Sequence, residues 1–375
     1  MERNRNPILM RLFPKKGIRN HWRRSVDDST GMALLMTLAA ISFLIAITVG
    51  LATSVNWQVQ ASRSLQESVR MDAALASCLN LIRASLYADQ QKQKYDTLLD
   101  GWNNLDEEAL GRLLADIRLS IRIRDMSGRI QVNSLVMSEE EKKKRASGPR
   151  RKPGGKVAGK GNQSDPEKLQ RQLWLRFLLS GKFAVDGAEE ALSLVDALSD
   201  WLDKDDNERD HGAESGYYKS LQPSYVCRNG PLQYPEELLL VKGFTRKIVY
   251  GDKEHEGIID YLTIYGQDGK ININTAPPRV LQALAPGVEE DMVDALVDFR
   301  KKKENLERLK NPQWYRHLAD FPGDIVFESA LVTTVSSYFF VTITAENNGF
   351  QQTGQGVLHR DPEAGAQDLI SWQVE

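Results

Sequence analysis

The sequence is poor in cysteine: Cys78 and Cys227 are the two it has, too few for a disulfide scaffold or for a zinc site built on thiolates. They fall in distant stretches and are expected to be free thiols. There is no excess of either charge, with 49 Lys and Arg against 51 Asp and Glu, so the basic surplus of a dedicated nucleic-acid binder is missing. Five histidines, His21, His211, His255, His317 and His359, show no metal-binding or catalytic spacing, and no G-x-S-x-G, H-E-x-x-H or C-x-x-C occurs; the chain carries no signature of enzyme chemistry. Charged residues at 27% and apolar ones at 41% exclude wholesale disorder and a polytopic membrane protein.

What is present is unevenly placed. From Met32 to Val55 no charge occurs, about 24 residues, long enough as a helix to cross a hydrocarbon layer. Ahead of it stand eight Lys and Arg against three acids, which assigns residues 1–31 to the cytoplasm and the rest to the far side. Three fates of this N-terminus stay open on these residues: a secretory signal cut near Ala52-Thr53-Ser54, an uncleaved anchor, or cleavage at the Gly31/Met32 junction where the polar leader meets the apolar run. Past the span, Leu65, Val69, Leu75, Leu79, Ile82 and Leu86 recur at helical spacing, so the helix is expected to continue with one apolar stripe. Ile117, Leu119, Ile121 and Ile123 then alternate, a turn falls at Asp125–Gly128, and Ile130 and Val132 alternate again. This spacing predicts a β-hairpin packed on the helix.

Residues 139–165 have no apolar periodicity and are dense in Lys, Arg, Gly and Pro, a solvated tether rather than a nucleic-acid or lipid site. The G-x4-G-K at Gly154–Lys160 lacks the Ser or Thr that follows in a P-loop. Ser164 and Glu167 have capping-box spacing before a helix, and a second helix is expected over Glu189–Leu202. Next comes an acidic stretch in which Asp203, Asp205 and Asp206 leave a helix end and Glu214 returns after a turn at Gly212. Its spacing is not that of an EF-hand; a calcium site and a solvated acidic loop both remain open. Asp200 and Asp203 also have the form of an acid/base pair, with nothing in the sequence to tune them. Further on, Asn274 or Thr275 is expected to cap a helix over Arg279–Leu284, and Pro286-Gly287 to turn into a second helix at Glu289, a helix-hairpin-helix. Glu289, Glu290 and Asp291 stand at its exit, where they repel a phosphate, so the hairpin is read as structural; a membrane-anchored DNA-binding or uptake protein using this hairpin, and a generic single-pass periplasmic scaffold, are the alternative readings. The C-terminal region returns to strands: Val335–Thr344, then Asn347-Asn348-Gly349 as a turn, Gly356–His359, and Leu369–Val374 at an edge.

Five features together carry a family resemblance: the Gly31/Met32 junction, the LSDWLDKDD segment with its following GAE, the segment Asn229–Phe244, the NINTAPPRVLQAL segment, and the YFFVTITAE strand. With them the chain resembles protein K of the type II secretion system, the large minor pseudopilin family. The resemblance implies an α+β fold in which a type IV pilin-like N-terminal helix packs on a small antiparallel sheet. A large inserted all-α domain would contain a helix-hairpin-helix-like (SAM-like) unit. In that frame, residues 1–31 are a leader, 32–55 the transmembrane helix, 56–136 the pilin-like helix and first strands, 137–165 the basic insertion, 166–330 the α-domain, and 331–375 the closing strands.

The resemblance also implies cleavage at Gly31 and methylation of Met32 by prepilin peptidase. The pilin fifth position, usually Glu, is Met36, and protein K proteins characteristically lack that Glu. It implies calcium at Asp203, Asp205, Asp206 and Glu214, with Tyr225 as a further ligand. It implies assembly with minor pseudopilins I and J at the tip of a periplasmic pseudopilus that serves export across the outer membrane. The expected place is the inner membrane, single-pass, with most of the chain in the periplasm, and neither an enzymatic activity nor a nucleic-acid partner is expected.

Overall fold

The computed structural model describes residues 29–114, 117–137, 165–319, 321–361, 365 and 367–375; residues 1–28 of the expected leader and 138–164 of the basic insertion, Ser164 included, lie outside them. The chain divides into two units, Met1–Glu67 and Ser68–Glu375. Helix α1, Ser29–Lys92, begins in the first and runs unbroken into the second. It is long and apolar enough to cross a membrane, and its apolar window is not buried in the protein. Met32, Met36, Phe43 and Leu51 are all well exposed, a surface that gains by leaving water.

In the second unit α1 buries Met71, Leu75, Cys78, Leu79, Ile82 and Leu86, steps of three and four that keep one face inward. Leu65 and Val69, expected on this stripe, are exposed, because the packed face begins only at Met71. Against it lies a four-stranded antiparallel sheet in the order β1-β6-β7-β8: β1 Arg118–Asp125, β6 Tyr338–Asn347, β7 Phe350–Arg360 and β8 Gln367–Val374. In β6, Phe339, Val341, Ile343 and Ala345 point into the core in strict alternation. The β6–β7 turn places Asn348 and Gly349 at φ of 50° and 80°, the left-handed pair that a two-residue hairpin requires.

The expected hairpin at Asp125–Gly128 does not form. Strand β1 pairs with β6, Ile121 opposite Ile343 and Asp125 opposite Phe339, while Ile130–Gln131 (β2) pairs in parallel with Leu262–Thr263 (β3) in a different core. The turn leads the chain out of the sheet. Gly128 is small for a tertiary reason: a Cβ there would lie 2.6 Å from Thr275 Oγ1.

Helix α2 is the short Glu107–Leu113, ahead of β1; the second core is built from helices α3 Pro166–Leu178, α4 Ala188–Leu202, α5 Ser215–Ser220, α6 Arg246–Tyr250, α7 Pro278–Ala283 and α8 Glu290–Lys301, around Trp174, Phe177, Leu198, Trp201 and Trp314. It also holds two short parallel strand pairs, β2 with β3 and Ile271–Asn272 (β4) with Val332–Thr333 (β5), so the insert expected to be all-α carries two-residue strands, too short for alternation to reveal. Its packing begins at Ile130, ahead of the basic insertion. Asp165, not Ser164, caps α3, accepting from the Glu167 backbone N–H at 3.2 Å, and the Glu167 carboxylate instead accepts from the Met137 N–H. Helix α8 has Glu290 and Asp291 in its first turn and Arg300 and Lys301 in its last, charges that suit its dipole. Glu290 is held by Lys182 and Arg279 at 2.9 and 2.8 Å.

Asn274 and Thr275 do not cap α7, whose N-cap is Pro277. They join the two cores. Thr275 Oγ1 donates to Asp125 Oδ2 at 2.5 Å, and Asn274 Nδ2 donates to the carbonyls of Asp96 and Leu309 while its Oδ1 accepts from Trp314 Nε1 at 2.7 Å. Asn272 adds a bond from Nδ2 to Ser336 Oγ at 2.7 Å. At the same seam Arg360, 3% exposed in its side chain, donates to Asp96 and to the Ser336 carbonyl, with Asp89 at 3.9 Å. Both cysteines are free and buried, and burial raises the Cys78 thiol to about 12.

Candidate acidic site

Helix α4 sets the floor of the site. One face carries Leu194, Val195, Leu198 and Trp201, and Asp196 and Asp200 stand one turn apart on the opposite side, which is buried as well. Asp196 is met by Arg171 at 2.5 Å and by His211 at 3.4 Å. Asp200 is fully buried, and the loop after the helix closes over it. Its Oδ2 accepts from the backbone N–H groups of Arg209 and Ala213, at 3.2 and 2.9 Å, and its Oδ1 from Arg209 Nη1 at 2.5 Å. Gly212 allows that closure, since a Cβ there would sit 1.8 Å from Asp200 Oδ2. Lys242 Nζ pins the Gly212 carbonyl from outside at 2.7 Å.

The loop brings Asp200, Asp203 and Glu214 together, one carboxylate oxygen from each lying within 4.8 Å of the others. Arg209 Nη1 also reaches Asp203 Oδ2, at 2.6 Å. Glu214 is 4% exposed, and neither of its carboxylate oxygens has a hydrogen-bond partner; Asp203 Oδ1 is likewise buried and unpaired. Leaving such groups unsatisfied is costly. Burial, reinforced by the neighbouring Asp200, Asp203 and Asp206 charges, raises Glu214 to about 8. Burial also raises Asp203, against the pull of Arg209. Desolvation works against the Arg209 charge, but its bonds to Asp203 and Asp200 outweigh it and hold the guanidinium above its ordinary value.

Of the five residues expected at a metal site, Asp203 and Glu214 converge. Asp206 is exposed beside them; its Oδ1 accepts from the Ser215 N–H at 3.3 Å, and that bonding lowers its pKa. Asp205 turns away, accepting from the Asn207 N–H and side chain. Tyr225 is not brought in: its hydroxyl donates to the Leu240 carbonyl at 2.8 Å, and its ring lies against Trp201 and Tyr218. Sequence reasoning missed Asp200 as a member, and Arg209 altogether. The periodicity of α4 hides Asp200, which falls with Asp196 on the face opposite Leu194, Val195 and Leu198, where an acid reads as solvated; only the loop closing over it makes it a member of the site. The donor set is hard oxygen throughout, which suits calcium over softer metals.

At the processing junction, Gly31 and Met32 lie in the first turn of α1, and Met36 one turn on is exposed.

Two family models, both described as type II secretion system (T2SS), protein K, match the chain, one over residues 128–250 and the other over residues 271–333. The type II secretion system protein K of Pseudomonas aeruginosa is 28% identical over 183 residues, 47% of this chain and 44% of that protein. That of Aeromonas hydrophila is 24% identical over 324 residues, 84% of this chain and 88% of its own length. Among solved structures, the GspK-GspI-GspJ complex from the enterotoxigenic Escherichia coli type 2 secretion system contains a chain that aligns with a TM-score of 0.54 at 15% identity, covering 84% of this chain and 99% of that one.

Proposed function

We propose that the chain is a member of the type II secretion system protein K family and a minor pseudopilin anchored in the inner membrane by α1, working at the tip of a periplasmic pseudopilus with minor pseudopilins I and J. The observation that carries this reading is the combination in one chain of an uncovered apolar helix, a pilin-like sheet packed on its continuation, and a bulky unit inserted between neighbouring strands. In pilins the fifth mature residue is a Glu that neutralises the N-terminal ammonium of a neighbouring subunit inside the bilayer. Met36 brings no such charge, and an ammonium left alone in lipid is costly. A subunit at the tip has no preceding ammonium to neutralise. The inserted unit supports the same position, since a filament interior has little room for it. Assembly with I and J then draws helices partly out of the bilayer, starts the filament, and presents the inserted unit outward to cargo or to the outer-membrane channel, promoting export.

Processing at Gly31, with methylation of Met32 by prepilin peptidase, belongs to the same proposal. It is checked by the mass of the N-terminus purified from a membrane containing active peptidase. The expected product begins at N-methyl-Met32, and Gly31→Val is expected to leave the uncut chain. A parent chain starting at Met1 or near Val55 would remove the filament reading.

Calcium is the proposed ligand of the acidic site. Asp200, Asp203 and Glu214 would hold it, with Asp206 close by, and the unpaired buried oxygens of Asp203 and Glu214 are what make the site fit. The ion would supply positive charge that locks the 203–214 loop, adding stability to the folded form alone. Asp203→Asn and Glu214→Gln are expected to remove most of the calcium-dependent rise in melting temperature, whereas Asp205→Ala leaves it nearly intact. A loss at Asp205 equal to that at Asp203 would mean that the site is built from other oxygens.

A further inference from the structure

The acidic site already contains a cation of its own. Arg209 Nη1 lies 2.5 Å from Asp200 Oδ1 and 2.6 Å from Asp203 Oδ2, bridging two of the three carboxylates that converge, while Glu214 is left with both oxygens unpaired. Among the described residues, Arg209 is the side-chain cation bonded to this cluster: Lys242 is committed to the Gly212 carbonyl and the Tyr217 ring, and His211 faces Asp196. One guanidinium against three carboxylates leaves the cluster short of positive charge. It also commits Asp200 fully, since that carboxylate's other oxygen is bonded to the Arg209 and Ala213 N–H groups. An incoming ion can find Asp203 Oδ1 and Glu214 unoccupied, with Asp206 beside them, but it reaches Asp200 Oδ1 or Asp203 Oδ2 only by taking that oxygen from the guanidinium.

We propose that Arg209 is a tethered competitor for the divalent cation, bridging Asp200 and Asp203 when the site is unloaded and swinging out when calcium takes their oxygens. The inference rests on the calcium reading above and adds its regulation. Arg209 stands on the segment that closes the site, its side chain is 35% exposed, and residues 204–208 before it are exposed, so the guanidinium has a short way out to water. Because an arginine keeps its charge at any working pH, Arg209's own part in the competition is set by position and not by titration. The arrangement raises the calcium concentration at which the loop locks and keeps the buried carboxylates from standing uncompensated beforehand.

The test uses the full-length chain in detergent, stripped with a chelator and titrated with calcium chloride by calorimetry, with melting temperatures taken in chelator and in calcium. Arg209→Gln is expected to bind calcium about tenfold more tightly or better, the scale on which one charge within 4–6 Å alters a carboxylate's affinity for a cation such as the proton. Its melting temperature is expected to fall in chelator and to match the parent in calcium. Arg209→Lys keeps the charge and is expected to stay near the parent affinity. If Arg209→Gln does not hold its fold in chelator, purification in calcium followed by chelator competition gives the affinity directly. Unchanged or weaker binding in Arg209→Gln, with equal losses of melting temperature in both conditions, would show a strut common to both states and overturn the proposal. Calcium binding in the variant but not in the parent would uphold the competitor and refute calcium as the native ligand; binding in neither would refute both.

Discussion

Replacing Arg360 by Met is expected to destabilise the second unit by about 3–5 kcal/mol near neutral pH, the usual cost of stripping the partner from a buried charge, and by clearly less near pH 4. Arg360 lies at the seam between the cores, bonded to Asp96, to the Ser336 carbonyl and to the Leu86 carbonyl, with its guanidinium 4.9 Å from the centre of the Phe339 ring. Burial raises Asp89 to about 7, with the Asp100 and Asp96 charges adding to it, and raises Asp96 to about 6; Arg360 pulls both down, as Lys92 does for Asp89. Burial raises Asp125 too, against bonds from Ser336, Thr275 and Ser127.

The folded chain therefore binds protons at Asp89 and Asp96 more tightly than the unfolded chain, where an Asp titrates near 3.9. Stability from this seam is complete below about pH 4 and declines as pH rises through about 7. Removing the guanidinium steepens that decline, because the carboxylates must then ionise without it. Urea unfolding of parent and variant across this range reads both effects. A difference between the two that stays constant with pH would show that Arg360 acts by packing on Phe339 and not by charge.

Gly212→Ala is expected to abolish the calcium-dependent rise in melting temperature proposed above and to lower stability in chelator by about 1–3 kcal/mol, the range for forcing a methyl into filled space. The added Cβ would fall 1.8 Å from Asp200 Oδ2 and 2.7 Å from its Cγ, and neither side can yield cheaply. Asp200 is buried in α4, and its carboxylate is held by three donors. The loop must lift, which breaks the Ala213 N–H bond and separates Glu214 from Asp200 and Asp203. Gly216→Ala is the matched control: it lies in α5, has nothing within 4 Å of its Cβ position, and is expected to be neutral or slightly stabilising. A calcium response retained in Gly212→Ala would mean that loop closure over Asp200 is not what assembles the site.

Elements whose signal is local were legible in the sequence. The strand expected over Val335–Thr344 forms at Tyr338–Asn347, the helix expected over Glu189–Leu202 at Ala188–Leu202, and the turn at Asn347–Gly349 where it was expected, since each is specified by period and turn chemistry alone. The failures share one cause, which is residues whose local propensity was overridden by a distant partner. Asp125–Gly128 has the composition of a hairpin turn, but Asp125 is taken by Thr275 and Ser336, and Gly128 makes room for Thr275 and Ala276. Asn274 has the form of a helix cap and is used instead by Trp314 and by the Asp96 and Leu309 carbonyls. At the acidic site the cluster of acids was visible, but which of them converge depended on Asp200 inside the helix and on a glycine closing over it.

The pairing of β1 with β6 has a consequence for how the chain is made. Asp125 finds its place opposite Phe339 only after the whole helical insert has been synthesised, and closing so long a loop precedes any reward from the contact. Until Tyr338–Arg360 has been delivered, the Met71–Leu86 stripe of α1 has no sheet to cover it. The helix that leads the chain is thus among the last parts to be sheltered. While the rest of the chain is being made its apolar face stands open, which makes it the segment most exposed to wrong association.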